Sequence, residues 1–235
     1  MRINKYVSET GKASRRGADK LIQENRVKIN GKTAKIGDQV KPGDKIIVDG
    51  ERLNIVQDHI YIALNKPVGV TCTGEKSVKK NIIDLVNLPI KINHVGRLDK
   101  DSEGLILLTN DGDIINEILR GENKNEKEYY VSVNKPITPE FIKQMESGVK
   151  ILKTKTLPCK INQLSKFEFE ITLTQGLNRQ IRRMCETLGY EVVNLKRLRI
   201  MNIHLNNLPV GQWRYLSKKE KERLFSDLNY EPVSW

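Results

Sequence analysis

Residues 93–112 read NHVGRLDKDSEGLILLTNDG, and this stretch is the most unusual part of the sequence. It sets Asp99, Asp101 and Glu103 in a glycine-bounded loop directly before an apolar run that predicts a strand. Loops held on a rigid strand scaffold often carry catalytic groups, and a turn with solvated acids is the alternative. Leu98 favours Asp99, because an apolar neighbour would anchor that acid inward. The residues alone nevertheless leave all three acids in contention.

The charge of the chain points to a polyanionic partner. Forty-one Lys and Arg residues stand against 29 Asp and Glu, which gives a net charge of +12. Residues 1–55 hold thirteen of the basic and seven of the acidic residues, so half of the surplus lies in under a quarter of the chain. Neutralising phosphates releases condensed counterions, so this surplus favours a polyanionic partner, while charge alone leaves the alternative of a merely basic protein open. A carboxylate kept at a phosphate-binding site makes most sense if it has a chemical task.

Residues 1–55 have the pattern of two helices followed by short strands. Ile3, Tyr6 and Val7 lie at the i, i+3, i+4 spacing of one buried helical face. Ser14 is a good N-cap for a second helix. Asn-Gly and Pro-Gly pairs further along separate the short strands. The basic side chains left to project from the remaining helix surface are Arg15, Arg16 and Lys20.

The rest of the chain, residues 60–235, mixes strands and helices without regular βαβ crossovers. This pattern predicts an α+β domain on a mainly antiparallel mixed sheet, preceded by a small α/β domain over residues 1–55. A short polar stretch, 51–59, connects the two. The predicted strands cover 60–64, 104–109, 128–133, 167–174 and 192–205, and the predicted helices lie near 111–120, 139–147 and 178–188, with a charged amphipathic helix after 217.

Several function classes find no support in the sequence. It has no GxxxxGK[ST] or GxGxxG loop for nucleotides, no HExxH helix and no GxSxG elbow. The three cysteines and three histidines are scattered, which predicts reduced thiols and no metal site. No run of 18 apolar residues and no signal peptide is present, so we expect a cytoplasmic protein that does not enter a membrane. Nothing in the sequence demands more than a monomer.

Spaced motifs in residues 1–50 resemble an S4 RNA-binding domain. They are RINKY from Arg2, SRR from Ser14 with ADKLI from Ala18, RVKING from Arg26, and GDKI from Gly43. In that family a helix pair and a loop lie against structured RNA. The resemblance implies RNA contacts by five basic residues, for each of which a solvated surface charge is an equal alternative: Arg2, Lys5, Arg15, Arg16 and Lys20.

The larger part of the chain resembles the pseudouridine synthases. Over residues 60–216 it carries, in order, LNKPVG from Leu64, HVGRLDKDSEGL from His94, EKEY from Glu126, GLNRQIRRM from Gly176 and LKRLRI from Leu195. This set is similar to that of the RsuA family, whose members modify small-subunit and large-subunit ribosomal RNA. The resemblance implies an isomerase without metal or nucleotide cofactor, which detaches uracil at N1 and rejoins it through C5.

Within that family, the motifs most resemble the type that modifies 23S ribosomal RNA, some members of which also accept a tyrosine tRNA anticodon. Fold and active site are shared across the family, so they do not select the substrate. Two rival interpretations stay open. One is a non-catalytic S4-type RNA-binding protein used in ribosome assembly, and the other is the same chemistry on 16S ribosomal RNA or tRNA alone.

The resemblance selects Asp99 as the residue that starts the reaction, at the ribose C1′ or through a glycal pathway. Its carboxylate must be ionised, and a nearby cation would favour that form. On a helix over 178–188, a rotation of roughly 100° per residue places Arg182 at the border of the apolar stripe, while Arg179 and Arg183 point away and suit phosphates. The matching arginine of the family pairs with the nucleophile, which implies the same for Arg182.

The remaining expectations concern the base and its phosphates. The resemblance implies that Tyr129 stacks beneath the target base, although core packing is a strong alternative for an aromatic residue in a strand. Arg97 would fill the gap that the base leaves in its stack. Leu198 and Ile200 are expected beside the base, with core packing equally open. The lysines expected at flanking phosphates, unless they are ordinary surface charges, are Lys66 and Lys100.

Overall fold

A computed structural model of the protein describes residues 1–55, 59–75, 77–120 and 124–232. Residues 56–58 of the predicted connection and 233–235 at the end of the predicted second domain lie outside these ranges, so the domain boundary stays a prediction. No helix within the described ranges combines the length and apolar character that crossing a bilayer requires. The same ranges hold no cluster of three or more His, Cys, Asp or Glu side chains suited to a metal ion.

The N-terminal unit packs two helices on a small antiparallel sheet. Ser14 caps the second helix as predicted, since its side chain accepts a hydrogen bond from the Gly17 amide at 3.1 Å. Ile3, Tyr6 and Val7 are buried, which confirms the predicted helical face. The elements are α1 (Ile3–Glu9), α2 (Arg15–Gln23), β1 (Val27–Ile29), β2 (Lys32–Thr33), β3 (Ile46–Val48) and β4 (Glu51–Leu53), with the strand order β2-β1-β3-β4.

The larger unit is built on one nine-stranded sheet. In chain order its elements are β5 (Tyr61–Lys66), α3 (Ile82–Val86), β6 (Asn93–Val95), β7 (Glu103–Thr109), α4 (Gly112–Leu119), β8 (Lys127–Val133), α5 (Pro139–Ser147), β9 (Lys150–Ile151), β10 (Thr154–Lys155), β11 (Lys160–Gln163), β12 (Glu168–Leu173), α6 (Gln180–Thr187), β13 (Val192–Ile200), β14 (Ile203–His204), β15 (Trp213–Tyr215) and α7 (Lys218–Leu228). The sheet runs β11-β12-β8-β13-β7-β5-β15, while β14 pairs with β13 and β6 with β7. All of these pairs are antiparallel except β13 with β7. The fold is therefore α+β on a mainly antiparallel mixed sheet, as predicted.

Apolar cores lie on both faces of this sheet. The strands β8, β12 and β13 pack against α5 and α6 through buried residues that include Val131, Phe169 and Met184. The central strands β5 and β7 are apolar on both faces. Ala63 belongs to the core with α4 and α7, whereas its neighbour Ile62 belongs to the core with α3. Burial on both faces explains the continuous apolar run that follows the acidic loop in the sequence.

Three predicted segments differ from the structure. The connection predicted over 51–59 is wrong at its start, because Glu51–Leu53 form β4 and pair with β3. The single strand predicted over 192–205 is wrong, because Met201 adopts a left-handed φ of +50° and the chain turns back, so that β14 pairs with β13. The helix predicted over 178–188 begins only at Gln180, after Arg179 in a left-handed conformation with φ of +49°. Because of this later start, Arg179 lies outside the helix, and helical phase does not set the direction of its side chain.

Candidate active site

The loop over 96–102 joins the antiparallel strands β6 and β7 and carries Asp99. Leu98 is buried, and its amide donates a hydrogen bond to the Cys72 sulfur at 3.3 Å. The Ser102 amide donates to the Asp99 carbonyl at 3.1 Å, which closes a turn around the acid. These contacts anchor Asp99 through its apolar neighbour, as the sequence indicated.

The same loop forms one wall of a cavity of about 170 Å³. Of the three acids in contention, Asp99 lines this cavity, whereas Asp101 and Glu103 do not. The Asp99 side chain is 31% exposed, so it faces the cavity without losing contact with solvent. The position of the loop thus distinguishes one acid where the residues alone left three.

The strand β8 supplies a second wall. Tyr129 and Lys127 lie two residues apart and therefore share the face of β8 that lines the cavity. The guanidinium of Arg197, on the neighbouring strand, lies over the Tyr129 ring at 5.9 Å from the ring centroid. Tyr129 also packs against two apolar cores. Tyr129 therefore packs in the core, which was the alternative for this residue, and it also lines the cavity.

The strand β13 adds Arg197 and Ile200 to the lining. Its register with β8 shifts between Arg197 and Arg199, so Leu198 occupies a bulge that moves the alternation of faces by one residue. Ile200 thereby reaches the cavity and also joins an apolar core. Leu198, expected beside the base, does not line the cavity because of this bulge.

Arg179 lies beside Asp99. Its Nη1 is 3.6 Å from Asp99 Oδ2 and 3.3 Å from Asp101 Oδ1. Helical phase made Arg182 the predicted cation beside Asp99 and directed Arg179 away from the apolar stripe, but Arg179 is the arginine that lies beside this acid, because the phase of the helix does not apply to it. Arg179 precedes the first helical residue, and its left-handed backbone sets a different direction for the side chain.

Arg182 is buried at the edge of the apolar face of α6, as its phase in the helix predicted. No ion pair joins it to Asp99. Its Nη2 donates to the Asp101 carbonyl at 3.0 Å and to Ser102 Oγ at 3.2 Å, and its Nη1 donates to the Val192 carbonyl at 3.2 Å. Its Nε is 3.5 Å from Asp101 Oδ2. Arg182 therefore holds the loop that carries Asp99, instead of pairing with that acid as the resemblance implied.

Lys66 is not at the surface, contrary to expectation. Its side chain is fully buried at the end of β5, and its Nζ donates hydrogen bonds to the carbonyls of Pro67 and Val70. Burial lowers the pKa of this lysine. Lys66 does not meet a phosphate from this position. The other predicted phosphate contacts near the loop and α6 are wholly or partly exposed, and they are Lys100, Arg179 and Arg183. Arg97, predicted to fill the gap that the base leaves, is exposed as well.

The N-terminal unit presents most of its predicted RNA contacts to solvent. Lys5 is the exception, because it is largely buried and forms ion pairs with Glu9 and with Asp113 of the larger unit. It therefore connects the two units and does not offer a free charge to RNA. The four that are exposed are Arg2, Arg15, Arg16 and Lys20.

Two cations on the cavity wall, Arg197 and Lys127, were not singled out from the sequence. Arg197 is 3% exposed, and its Nε donates to the Leu105 carbonyl at 2.6 Å. Burial, together with the nearby Arg197, lowers the pKa of Lys127 to about 8. The signal for Arg197 was its spacing, because it follows the buried Leu195 by two residues and so shares its face of the strand.

The chain matches two family models. The family described as RNA pseudouridylate synthase matches residues 60–187, and the S4 domain matches residues 1–46. The first range includes the Asp99 loop, the strand β8 and the helix α6. The two matches occur in the order that the motifs predicted.

Curated relatives and a solved structure agree with these matches. The dual-specificity RNA pseudouridine synthase RluF of Escherichia coli (strain K12) is 54% identical over 227 residues, which cover 96% of this chain and 78% of the relative. The ribosomal large subunit pseudouridine synthase B of Bacillus subtilis (strain 168) is 34% identical and covers 95% of each chain. A crystal structure of a pseudouridylate synthase has a TM-score of 0.71 at 32% identity, covering 95% of this chain and 99% of that one. The chain, with its Asp99 loop and its N-terminal S4 domain, therefore belongs to the RNA pseudouridylate synthase family and is a pseudouridine synthase, as its motifs predicted.

Proposed function

We propose that this pseudouridine synthase isomerises a uridine of 23S ribosomal RNA and that Asp99 is its nucleophile. The observation that carries the proposal is the position of Asp99. It is the acid of its loop that lines the cavity, with Arg179 at 3.6 Å and Tyr129 on a neighbouring wall. The family resemblance assigns the nucleophile to the same residue. A non-catalytic role in ribosome assembly would leave this arrangement without a purpose.

In this proposal Asp99 acts on the ribose of the target uridine as an ionised carboxylate. A bond between a carboxylate oxygen of Asp99 and C1′ forms while the bond between N1 and C1′ breaks, and the electron pair of the broken bond stays with the uracil. The base then turns, C5 bonds to C1′ while the Asp99 carboxylate leaves C1′ with its electron pair, the C5 proton passes to solvent and N1 gains a proton. Arg179 stabilises the ionised carboxylate, and Arg182 positions the loop by binding the Asp101 carbonyl and the Ser102 hydroxyl. Each step balances without a metal or a nucleotide.

The target base must leave its stack in the RNA to reach the cavity, at a cost of a few kcal/mol. Tyr129 stacks against the flipped base, a contact worth about 1–3 kcal/mol on aromatic platforms. Ile200 borders the same pocket. Arg97, exposed and lining the cavity, fills the gap that the base leaves. The phosphates that flank the flipped nucleotide bind to Lys100, Arg179 and Arg183.

The S4 domain docks on structured RNA through its exposed charges, Arg2, Arg15, Arg16 and Lys20. The name of one relative supports the substrate, since the Bacillus subtilis protein is named for the large ribosomal subunit. A tyrosine tRNA anticodon, which the motif resemblance implies, is the second candidate substrate, and the dual specificity in the name of the Escherichia coli relative agrees with two RNA substrates. We infer a cytoplasmic location from these RNA substrates, and we propose a monomer because no motif of the sequence calls for a second chain.

Release of tritium tests this function. Wild-type protein and Asp99→Asn are incubated with large-subunit ribosomal RNA, small-subunit ribosomal RNA and tRNA that carry C5-tritiated uridine. We expect release from large-subunit RNA with the wild type and none with Asp99→Asn, and sequencing then maps the modified uridine. Release from small-subunit RNA or tRNA alone would overturn the assignment of 23S ribosomal RNA as the substrate. Release that persists in Asp99→Asn would overturn the nucleophile, and no release from any RNA would overturn the activity.

A further inference from the structure

Arg197 lies on the cavity wall with one of its donors unused. The residue is 3% exposed, and its Nε is occupied by the Leu105 carbonyl at 2.6 Å. Its Nη2 has no hydrogen-bond partner among the described residues, although water has almost no access to it. A buried donor that stays unpaired is costly, so such a donor beside a cavity marks a position that a ligand is expected to fill.

The charge of this guanidinium is uncompensated as well. Within the described ranges no carboxylate oxygen lies within 4.0 Å of Arg197, in contrast to Arg199, which forms ion pairs with Glu126 and Glu128. Lys127 is a second cation on the same wall, and burial with the nearby Arg197 lowers its pKa to about 8. A wall that holds two cations without a paired anion favours an electron-rich occupant.

The backbone and the side chain of Arg197 are both held in place. Gly104 lies against the Arg197 backbone in the parallel pairing of β7 with β13, where a Cβ on Gly104 would come 2.4 Å from the Arg197 carbonyl oxygen. The guanidinium carbon lies over the Tyr129 ring, 5.9 Å from its centroid. The free Nη2 therefore has a defined position beside the tyrosine on which we place the base.

We propose that entry of the flipped uracil shifts the Arg197 guanidinium enough to open Nη2 to the cavity, where Nη2 binds a carbonyl oxygen of the base and stabilises its negative charge while the base is detached from the ribose. When the bond between N1 and C1′ breaks, its electron pair delocalises from N1 onto O2 and O4. A guanidinium donor at one of these oxygens stabilises the anion more than the neutral base. The charge disappears again when C5 bonds to C1′. The inference rests on the proposed function, because it takes the cavity as the pocket for the base.

A cycle that pairs a protein variant with a modified base tests this contact. The probe is the mapped RNA stem-loop with uridine, 2-thiouridine or 4-thiouridine at the target position, and nucleoside chromatography gives the single-turnover rate. Sulfur is the weaker acceptor, so we expect one of the two thio probes to react about tenfold more slowly with the wild type. Arg197→Met should lower the rate with uridine about 100-fold, as the loss of one oxyanion donor does. The rate of Arg197→Met with that same thio probe should lie within about twofold of its rate with uridine, because the contact that sulfur weakens is absent from the variant.

Arg199→Met is the matched control, because Arg199 lies on the same strand, pairs with carboxylates and does not line the cavity. It should keep the thio effects of the wild type. Arg197→Lys retains the cation without the planar fork and should recover part of the rate, and it carries the test if Arg197→Met does not fold. Equal thio effects in the wild type and the Arg197 variants, at both positions, would overturn the inference. Activity retained by Asp99→Asn would overturn the proposed function instead.

Discussion

The cavity and the N-terminal surface use arginine in opposite ways. Beside the cavity, Arg182 and Arg197 are more than nine-tenths buried, and each donates hydrogen bonds to backbone carbonyls. On the N-terminal unit, Arg15 and Arg16 are exposed on α2. A buried, hydrogen-bonded cation contributes through its fixed position, whereas exposed cations contribute through the total number of phosphates that they neutralise. Substitutions at the cavity should therefore cost stability and rate, and those on the N-terminal surface should cost salt-dependent binding.

Gly104→Ala should produce the largest effect at the cavity. Gly104 has a φ of +107°, and an added Cβ would lie 2.4 Å from the Arg197 carbonyl oxygen, so the pairing of β7 with β13 must shift. We expect the free energy of unfolding to fall by at least about 3 kcal/mol. Denaturant unfolding followed by circular dichroism measures this change. Gly112→Ala is the control, because its Cβ would meet nothing within 4 Å, and equal stability of the two variants would contradict the close approach.

Arg182→Ala should have the next largest effect, on both rate and stability. The variant loses the hydrogen bonds to the Asp101 carbonyl, the Ser102 hydroxyl and the Val192 carbonyl, at a cost of about 2 kcal/mol in unfolding free energy. The released loop should lower kcat about 100-fold, since small displacements of a reacting group are that costly. Tritium-release kinetics give the rate. Arg183→Ala, at the half-buried neighbouring residue, is the comparison on saturating RNA, and a kcat as low as that of Arg182→Ala would refute the role of the buried contacts.

The double variant Arg15→Ala/Arg16→Ala should affect binding alone. Each lost phosphate contact lowers the slope of log Kd against log salt by about 1 and weakens binding. Filter binding over a range of salt concentrations measures the slope. On saturating RNA the rate should match the wild type. Arg26→Ala is the matched control, because Arg26 is exposed on the same unit but already paired with Glu24 and Asp49. An unchanged slope in the double variant would exclude the predicted docking surface.

The two regions should also differ in how a lysine substitution changes the pH dependence of stability. The pKa of Lys127 is about 8 in the folded protein and 10.5 for a free side chain. Between these values the unfolded chain binds more protons, so rising pH favours the folded state. Relative to Lys127→Met, the wild type should gain stability between pH 7 and about 9.5. The free energy of unfolding, measured at both pH values, tests this gain. Lys20→Met, at an exposed lysine, should show the same change in stability with pH as the wild type.

Periodicity was enough to predict the regular parts of this contrast. The i, i+3, i+4 spacing placed Ile3 and Val7 in the core of the N-terminal unit, where the structure has them. The same reasoning put Arg182 at the edge of a buried face, and the structure confirms that burial. The motif around Asp99 predicted the family, because its residues occur in a fixed order that chance does not produce. What these positions share is that they lie on regular elements or in an unbroken motif.

The incorrect predictions for Arg179 and Leu198 share a physical cause, which is a local break in regular backbone, whereas that for Lys66 has a different one. Arg179 precedes its helix in a left-handed conformation, so helical phase gave the wrong direction. Leu198 occupies a bulge, so strand alternation would place it on the wrong face. Lys66 is buried because the carbonyls of Pro67 and Val70 bind its ammonium group, an arrangement that charge alone does not reveal. Neither the left-handed conformation at Arg179 nor the bulge at Leu198 is signalled by the type of residue at that position.

Single-turnover tritium release from the mapped RNA, compared between Asp99→Asn and Asp101→Asn, tests the role of Asp99. We expect Asp99→Asn to react at least about 1,000-fold more slowly than the wild type, as loss of a nucleophile requires, while it still folds and binds RNA. Asp101→Asn should stay within about tenfold, because Asp101 lies outside the cavity and acts only through its arginine partners. An Asp99→Asn rate close to that of the wild type, or an equal loss in Asp101→Asn, would contradict the assignment of Asp99 as the nucleophile.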